Sequence, residues 1–155
     1  MTKNTGLSEQ GFSLMEILTV IIMIGIMSAL AIPRFGNALA KQSVRGARNT
    51  IISKHAQAQA SAISRGRRTA FAIAGGRLAV LSPNPVTGTV DYVGRTIDTV
   101  TSRFGVTLTF NPTTRDTLVF DARGLGVETS STTIIISKSG LVDTVTFGPL
   151  GRVLH

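Results

Sequence analysis

Few side chains in this sequence could do covalent chemistry. His55 and His155 stand far apart, eight acids are scattered along 155 residues, and there is no cysteine. Disulfides, thiolate metal sites and cysteine nucleophiles are therefore excluded, and thiol usage says nothing about the redox compartment. No Gly-rich phosphate loop, zinc motif or nucleophile elbow occurs, and no Asp-rich loop has the ligand spacing of a hard-cation site. The expectation is a chain that is not an enzyme and that takes no metal and no cofactor. One acid is nevertheless out of place. Glu16 lies four positions inside the apolar block FSLMEILTVIIMIGIMSALAI, residues 12–32. A carboxylate facing lipid there costs about 2–3 kcal/mol, less near the headgroups. The block holds no lysine, arginine or histidine. The nearest cation the chain could supply is a new α-amine, made by cutting between Gly11 and Phe12.

The element that carries Glu16 is long. Residues 1–11, MTKNTGLSEQG, are polar, and the composition switches at Gly11. A secretory signal is cut after its apolar region; here no small-x-small site interrupts the block short of its far end, where Ala29 and Ala31 sit close together, and the block is expected to be retained. As a helix its 21 residues reach roughly 31 Å, enough to span the hydrocarbon layer of a bilayer. On hydrophobicity alone a plain single-pass anchor carrying a β-domain accounts for this segment.

Gly11-Phe12-Ser13-Leu14-Met15-Glu16 followed by an apolar stretch resembles the prepilin processing motif of type IV pilin-like proteins. The resemblance implies that a membrane-embedded prepilin peptidase removes residues 1–11, that the amine of Phe12 is N-methylated, and that Glu16 neutralises the Phe12 amine of a neighbouring subunit during filament assembly. Gly25 and Pro33 fall where this family places a helix-weakening glycine and proline. Proline lacks an amide donor and clashes with the preceding turn, so a kink at Pro33 is expected from chemistry as well. Implied partners are other pilin or pseudopilin subunits, the peptidase, an inner-membrane assembly platform and membrane lipids. The implied location is the bacterial inner membrane, single-pass with the C-terminal domain periplasmic, and a filament after assembly.

Residues 34–65 continue the helix in amphipathic form. Val44, Ala47, Ile51, Ala58 and Ala62 fall within about a 60° stripe, with Gln42, Gly46, Asn49, Thr50, Ser53, Gln57 and Ser61 on the other side. The stripe should pack on a domain. His55 lies on it and reads as a core histidine without a ligand role. The chain carries a formal charge of +8 with a pI near 11.4, and twelve of its sixteen basic residues are arginine. Nine basic residues from Arg34 to Arg77 occur without an acid. Lys41, Arg45 and Arg48 flank the stripe and read as a solvated edge that meets lipid headgroups or acidic faces of other subunits. A basic segment just after a span would by itself favour the cytoplasmic side, opposite to the orientation that the pilin resemblance implies.

Residues 66–155 read as β. Expected strands are Thr69–Ala74, Arg77–Leu81, Thr89–Val93, Thr96–Thr101, Val106–Phe110, Thr117–Phe120, Thr132–Ile136 and Leu141–Phe147. Turns are expected at Gly75-Gly76, Pro83-Asn84-Pro85, Asn111-Pro112 and Ser139-Gly140. The expected fold is α+β, a long helix packed on a C-terminal antiparallel sheet domain. Phe120-Asp121-Ala122-Arg123-Gly124, the run Thr132–Ser137, and Gly148-Pro149-Leu150-Gly151-Arg152-Val153 resemble the closing region of the GspH/FimT group of minor pilins and pseudopilins. The resemblance implies a minor subunit of a type IV pilus or type II secretion pseudopilus. It also admits a DNA-binding minor pilin acting in DNA uptake. Arg152 matches the Gly-Arg element of such binders, and Arg65, Arg67 and Arg68 could add phosphate contacts. A helix-end cluster that satisfies terminal carbonyls is the other reading of those three.

Overall fold

The computed structural model describes residues 12–94, 98–111 and 117–154, with residues 32–34 and Asp98 described by backbone alone. The leader with Gly11, Arg95, Pro112 and His155 lie outside these. The chain divides into two compact units, Met1–Ala38 and Leu39–His155. One helix, α1 (Leu14–Arg65), supplies residues to both.

In the first unit α1 starts where the carbonyl of Ser13 accepts from the amides of Glu16 and Ile17, at 3.0 and 3.2 Å. Every side chain from Phe12 to Leu30 is exposed, and an 18-residue window has a mean hydropathy of 2.4. By length and composition this helix can cross a membrane. The Thr19 hydroxyl does not spoil that. Thr19 Oγ1 donates to the Met15 carbonyl at 2.8 Å, so the polar group is satisfied within the helix. The α1 assignment runs through Gly25 and Pro33 without a break.

In the second unit Val44, Ala47, Ile51, Ala58 and Ala62 are all buried, as the stripe predicts. Two antiparallel sheets share the core with them. The first contains β1 (Thr69–Ala74), β2 (Arg77–Pro83), β3 (Val90–Tyr92), β4 (Asp98–Thr99) and β6 (Thr117–Phe120), in the order β3-β2-β1-β6 with β4 also paired to β2. The second contains β5 (Thr107–Asn111), β7 (Thr132–Lys138), β8 (Leu141–Phe147) and β9 (Val153–Leu154), in the order β5-β7-β8-β9. Alternation fixes which side faces inward. Phe71 and Ile73 of β1, Leu78 and Val80 of β2, and Leu118 and Phe120 of β6 meet Ile134 and Ile136 of β7 and Val145 and Phe147 of β8 in one core with the helix. Each large side chain buried there stabilises the unit by about 1.5–3 kcal/mol.

Two expectations need correction. The strand Thr96–Thr101 is not a strand throughout: β4 is Asp98–Thr99, and Val100–Phe104 forms the helix α2. Val100 and Phe104 are four apart, so a helical turn points both inward, whereas a strand could bury them only by also burying Ser102. Gly105, in the left-handed region at φ 60°, ends α2. Ser61 and Gly46, set opposite the packing stripe by the sequence, are packed as well. Ser61 is buried and its hydroxyl donates to the Gln57 carbonyl at 2.7 Å. A Cβ on Gly46 would lie 2.6 Å from the Phe104 ring, so α2 lies close against that side of α1. A 3₁₀ turn at Pro149–Gly151 and the strand β9, for which the sequence carried no expectation, follow β8.

Candidate functional site

The feature of the first unit that could act is the start of α1. Phe12, Glu16, Ile17, Val20 and Ile21 line a shallow groove of about 310 Å³ with an almost wholly apolar wall. Glu16 sits in the first turn, where the amide ends of the helix favour negative charge. The groove thus offers one carboxylate in apolar surroundings, suited to receive a cation together with apolar side chains. Gly25 is open, with nothing within 4 Å of where a Cβ would stand.

The second unit draws together the first and last of the three closing segments singled out in the sequence. Asp121 organises the first: its Oδ1 accepts from the amides of Arg123 and Leu125, both at 2.9 Å, and its Oδ2 accepts from Arg123 Nε at 3.0 Å. The Leu125 amide, helped by Arg123, holds the Asp121 carboxyl below its ordinary range. The second motif packs on this loop. A Cβ on Gly126 would strike the Gly151 amide, and one on Gly151, whose φ is +75°, would lie 2.8 Å from the Phe120 ring. Gln59 of α1 ties the two: its Nε2 donates to the carbonyls of Gly124 at 3.4 Å and Gly151 at 3.1 Å. Sequence reasoning missed Gln59. The available signal was a long amide at the edge of the apolar stripe, where a half-buried donor favours an acceptor on the facing domain.

His55 is buried at 1% exposure, stacked on Phe147 with ring centroids 4.4 Å apart and edge-on to Phe120 at 5.0 Å. Its Nε2 has no hydrogen-bond partner among the described residues. Burial lowers its pKa from 6.5 to about 4, so the ring is neutral at physiological pH. Among the described residues no group of three His, Cys, Asp or Glu side chains could hold a metal ion.

The four arginines of the DNA reading are placed unevenly. Arg65 in the last turn of α1, Arg68 and Arg152 are exposed. Arg67 is half-buried and donates to the carbonyls of Arg65 and Pro83, both at 3.4 Å, which is the carbonyl-satisfying role.

No protein-family model matches the chain, and no curated protein matches it. Two solved structures do, both of the type IV minor pilin FimU of Pseudomonas aeruginosa strain PAO1. One crystal form gives a TM-score of 0.59 at 16% identity over 74% of this chain and 88% of that chain. The other gives 0.55 at 19% identity over 71% and 90%. The fold is that of a type IV minor pilin. In this pilin fold the stripe of residues 44–62 is the helix core, and the clamp of Gln59, Gly124 and Gly151 secures the closing segment.

Proposed function

We propose that this chain is a structural subunit, of the minor kind, of a type IV pilus or type II secretion pseudopilus. The observation that carries this reading is the first stretch of α1, an apolar rod exposed from Phe12 to Leu30 with a single carboxylate near its start. Such a surface must be covered by lipid or by other protein. A plain anchor has no use for Glu16, whereas a filament core does. On this reading the peptidase cuts between Gly11 and Phe12, the Phe12 amine is methylated, and the rod waits in the inner membrane with residues 66–155 on the periplasmic side. The assembly platform then moves the subunit into the filament, where Glu16 meets the Phe12 amine of a neighbour. Gly25 and Pro33 ease the bending or unwinding that packing of rods requires.

Glu16→Val tests this, because it removes the carboxylate and keeps an apolar, helix-compatible surface. The variant is expected to insert and lose its leader as the parent does, yet to enter filaments at least tenfold less. Equal incorporation of variant and parent ends the assigned role of Glu16. Exposed Arg65, Arg68 and Arg152 favour DNA as the second reading. It requires a mobility shift of duplex DNA that weakens steeply with salt, and no shift at low salt rejects it.

A further inference from the structure

One cleft of the second unit is lined by cations that take no part in the Glu16 contact proposed above. Lys41, Arg45 and Arg48 are spaced by four and three residues on α1, which sets them in one row along the helix. With Val44 they line one side of a cleft of about 310 Å³, and Leu141, Val142 and Asp143 at the start of β8 line the other. The only carboxylate in that lining is Asp143, whose Oδ2 lies 3.9 Å from Arg48 Nε. Lys41 and Arg45 are exposed, and neither has a carboxylate within ion-pair distance among the described residues. Local sequence cannot supply one: no acid occurs from Ile17 to Val90. The other wall ends in bare apolar surface, with Val142 64% and Leu141 36% exposed.

We propose that this cleft docks an acidic, partly apolar surface of a different protein subunit. Carboxylates enter between Lys41 and Arg45, where the guanidinium can hold two oxygens at once, while apolar side chains of the partner cover Val142 and Leu141. Charge decides against a second copy of this chain, which carries a net charge of +8 and would bring like charge to the contact. A phosphate, free or in a lipid headgroup, would satisfy the cations but leave the Val142 wall in water. The identity of the partner as a co-assembling subunit rests on the function proposed above; the chemistry of the cleft does not.

The test titrates full-length protein in nonionic detergent micelles with a fluorescein-labelled peptide of two glutamates flanked by leucines, and with its glutamine counterpart. The glutamate peptide is expected to bind at least tenfold more tightly. Lys41→Glu with Arg45→Glu should abolish the preference, Lys41→Gln with Arg45→Gln should weaken it, and Arg77→Glu on β2 should leave it unchanged. Equal binding of both peptides, or an unchanged preference in the charge-reversed variant, overturns the proposal. So does protection of the cleft by phosphatidylglycerol vesicles or inorganic phosphate as strong as that by the peptide. In cells, a photo-crosslinking residue at Val142 should join the chain to a different protein through an acid-bearing peptide, and charge reversal should remove the adduct. An adduct to a second copy, to lipid alone, or one that survives charge reversal contradicts it. The peptide titration needs no filament, so its failure is separate from that of the Glu16 experiment.

Discussion

Protonating His55 should weaken the second unit, and the size of the effect can be worked out. The ring lies stacked on Phe147 and edge-on to Phe120, 1% exposed, and burial takes its pKa from 6.5 to about 4. Between those two values the unfolded chain binds a proton that the folded chain refuses. Stability therefore falls as pH falls through this window and levels off below it. A proton-affinity difference of that size is worth about 3 kcal/mol when fully expressed, and about 2 kcal/mol is already lost by pH 5. Asp121 does not confuse the result. Its folded carboxyl is held low, so its stabilisation persists above the usual carboxylate range and is lost only at more acid pH. The assay is urea unfolding of the full chain in nonionic detergent, followed by far-ultraviolet circular dichroism at pH 7.5 and pH 5. The parent should lose about 2 kcal/mol between the two, a sizeable share of a small domain's stability, and His55→Leu should lose far less. Parallel pH dependence in parent and variant would refute the reasoning, whatever the variant's absolute stability.

The clamp gives two further predictions. Gly151→Ala asks a Cβ to occupy a position 2.8 Å from the Phe120 ring at a φ of +75°, and it should destabilise the unit by about 1–3 kcal/mol. An unchanged urea midpoint would show that the closing turn does not depend on this approach. Gln59→Leu leaves the carbonyls of Gly124 and Gly151 without that donor and should cost about 1 kcal/mol. Hydrogen exchange should then speed up in residues 148–154 while β1 and β2 stay protected; uniform exchange across the unit would argue for a general loss of packing instead.

Much of this fold could be read from periodicity. The burial of Val44, Ala47, Ile51, Ala58 and Ala62 follows from a repeat of three and four residues, and β1, β6 and β8 have the bounds their alternation implies. What escaped was set by contacts between distant residues. Whether Val100 starts a helix or ends a strand depends on its seat in the core, and the run Val-Thr-Ser-Arg-Phe satisfies either period over so short a stretch. Gly46 falls opposite the apolar stripe, and nothing local announces that Phe104 will lie across it. Glu16 stood out for a different reason: a lone carboxylate in an apolar run is costly wherever the chain goes, so it invites a functional proposal without any knowledge of tertiary contacts. The clamp was visible only as two separate glycine-containing motifs, and Gln59 supplies the link that spacing could not predict.

The most direct test of the subunit reading is N-terminal mass spectrometry of the protein extracted from membranes of cells with an active prepilin peptidase. The account predicts a chain beginning at Phe12 with a methylated α-amine, and a Gly11 variant carrying a bulky side chain that keeps its leader. A chain that retains Met1 through Gly11 in those cells would contradict it and leave a tethered β-domain in its place.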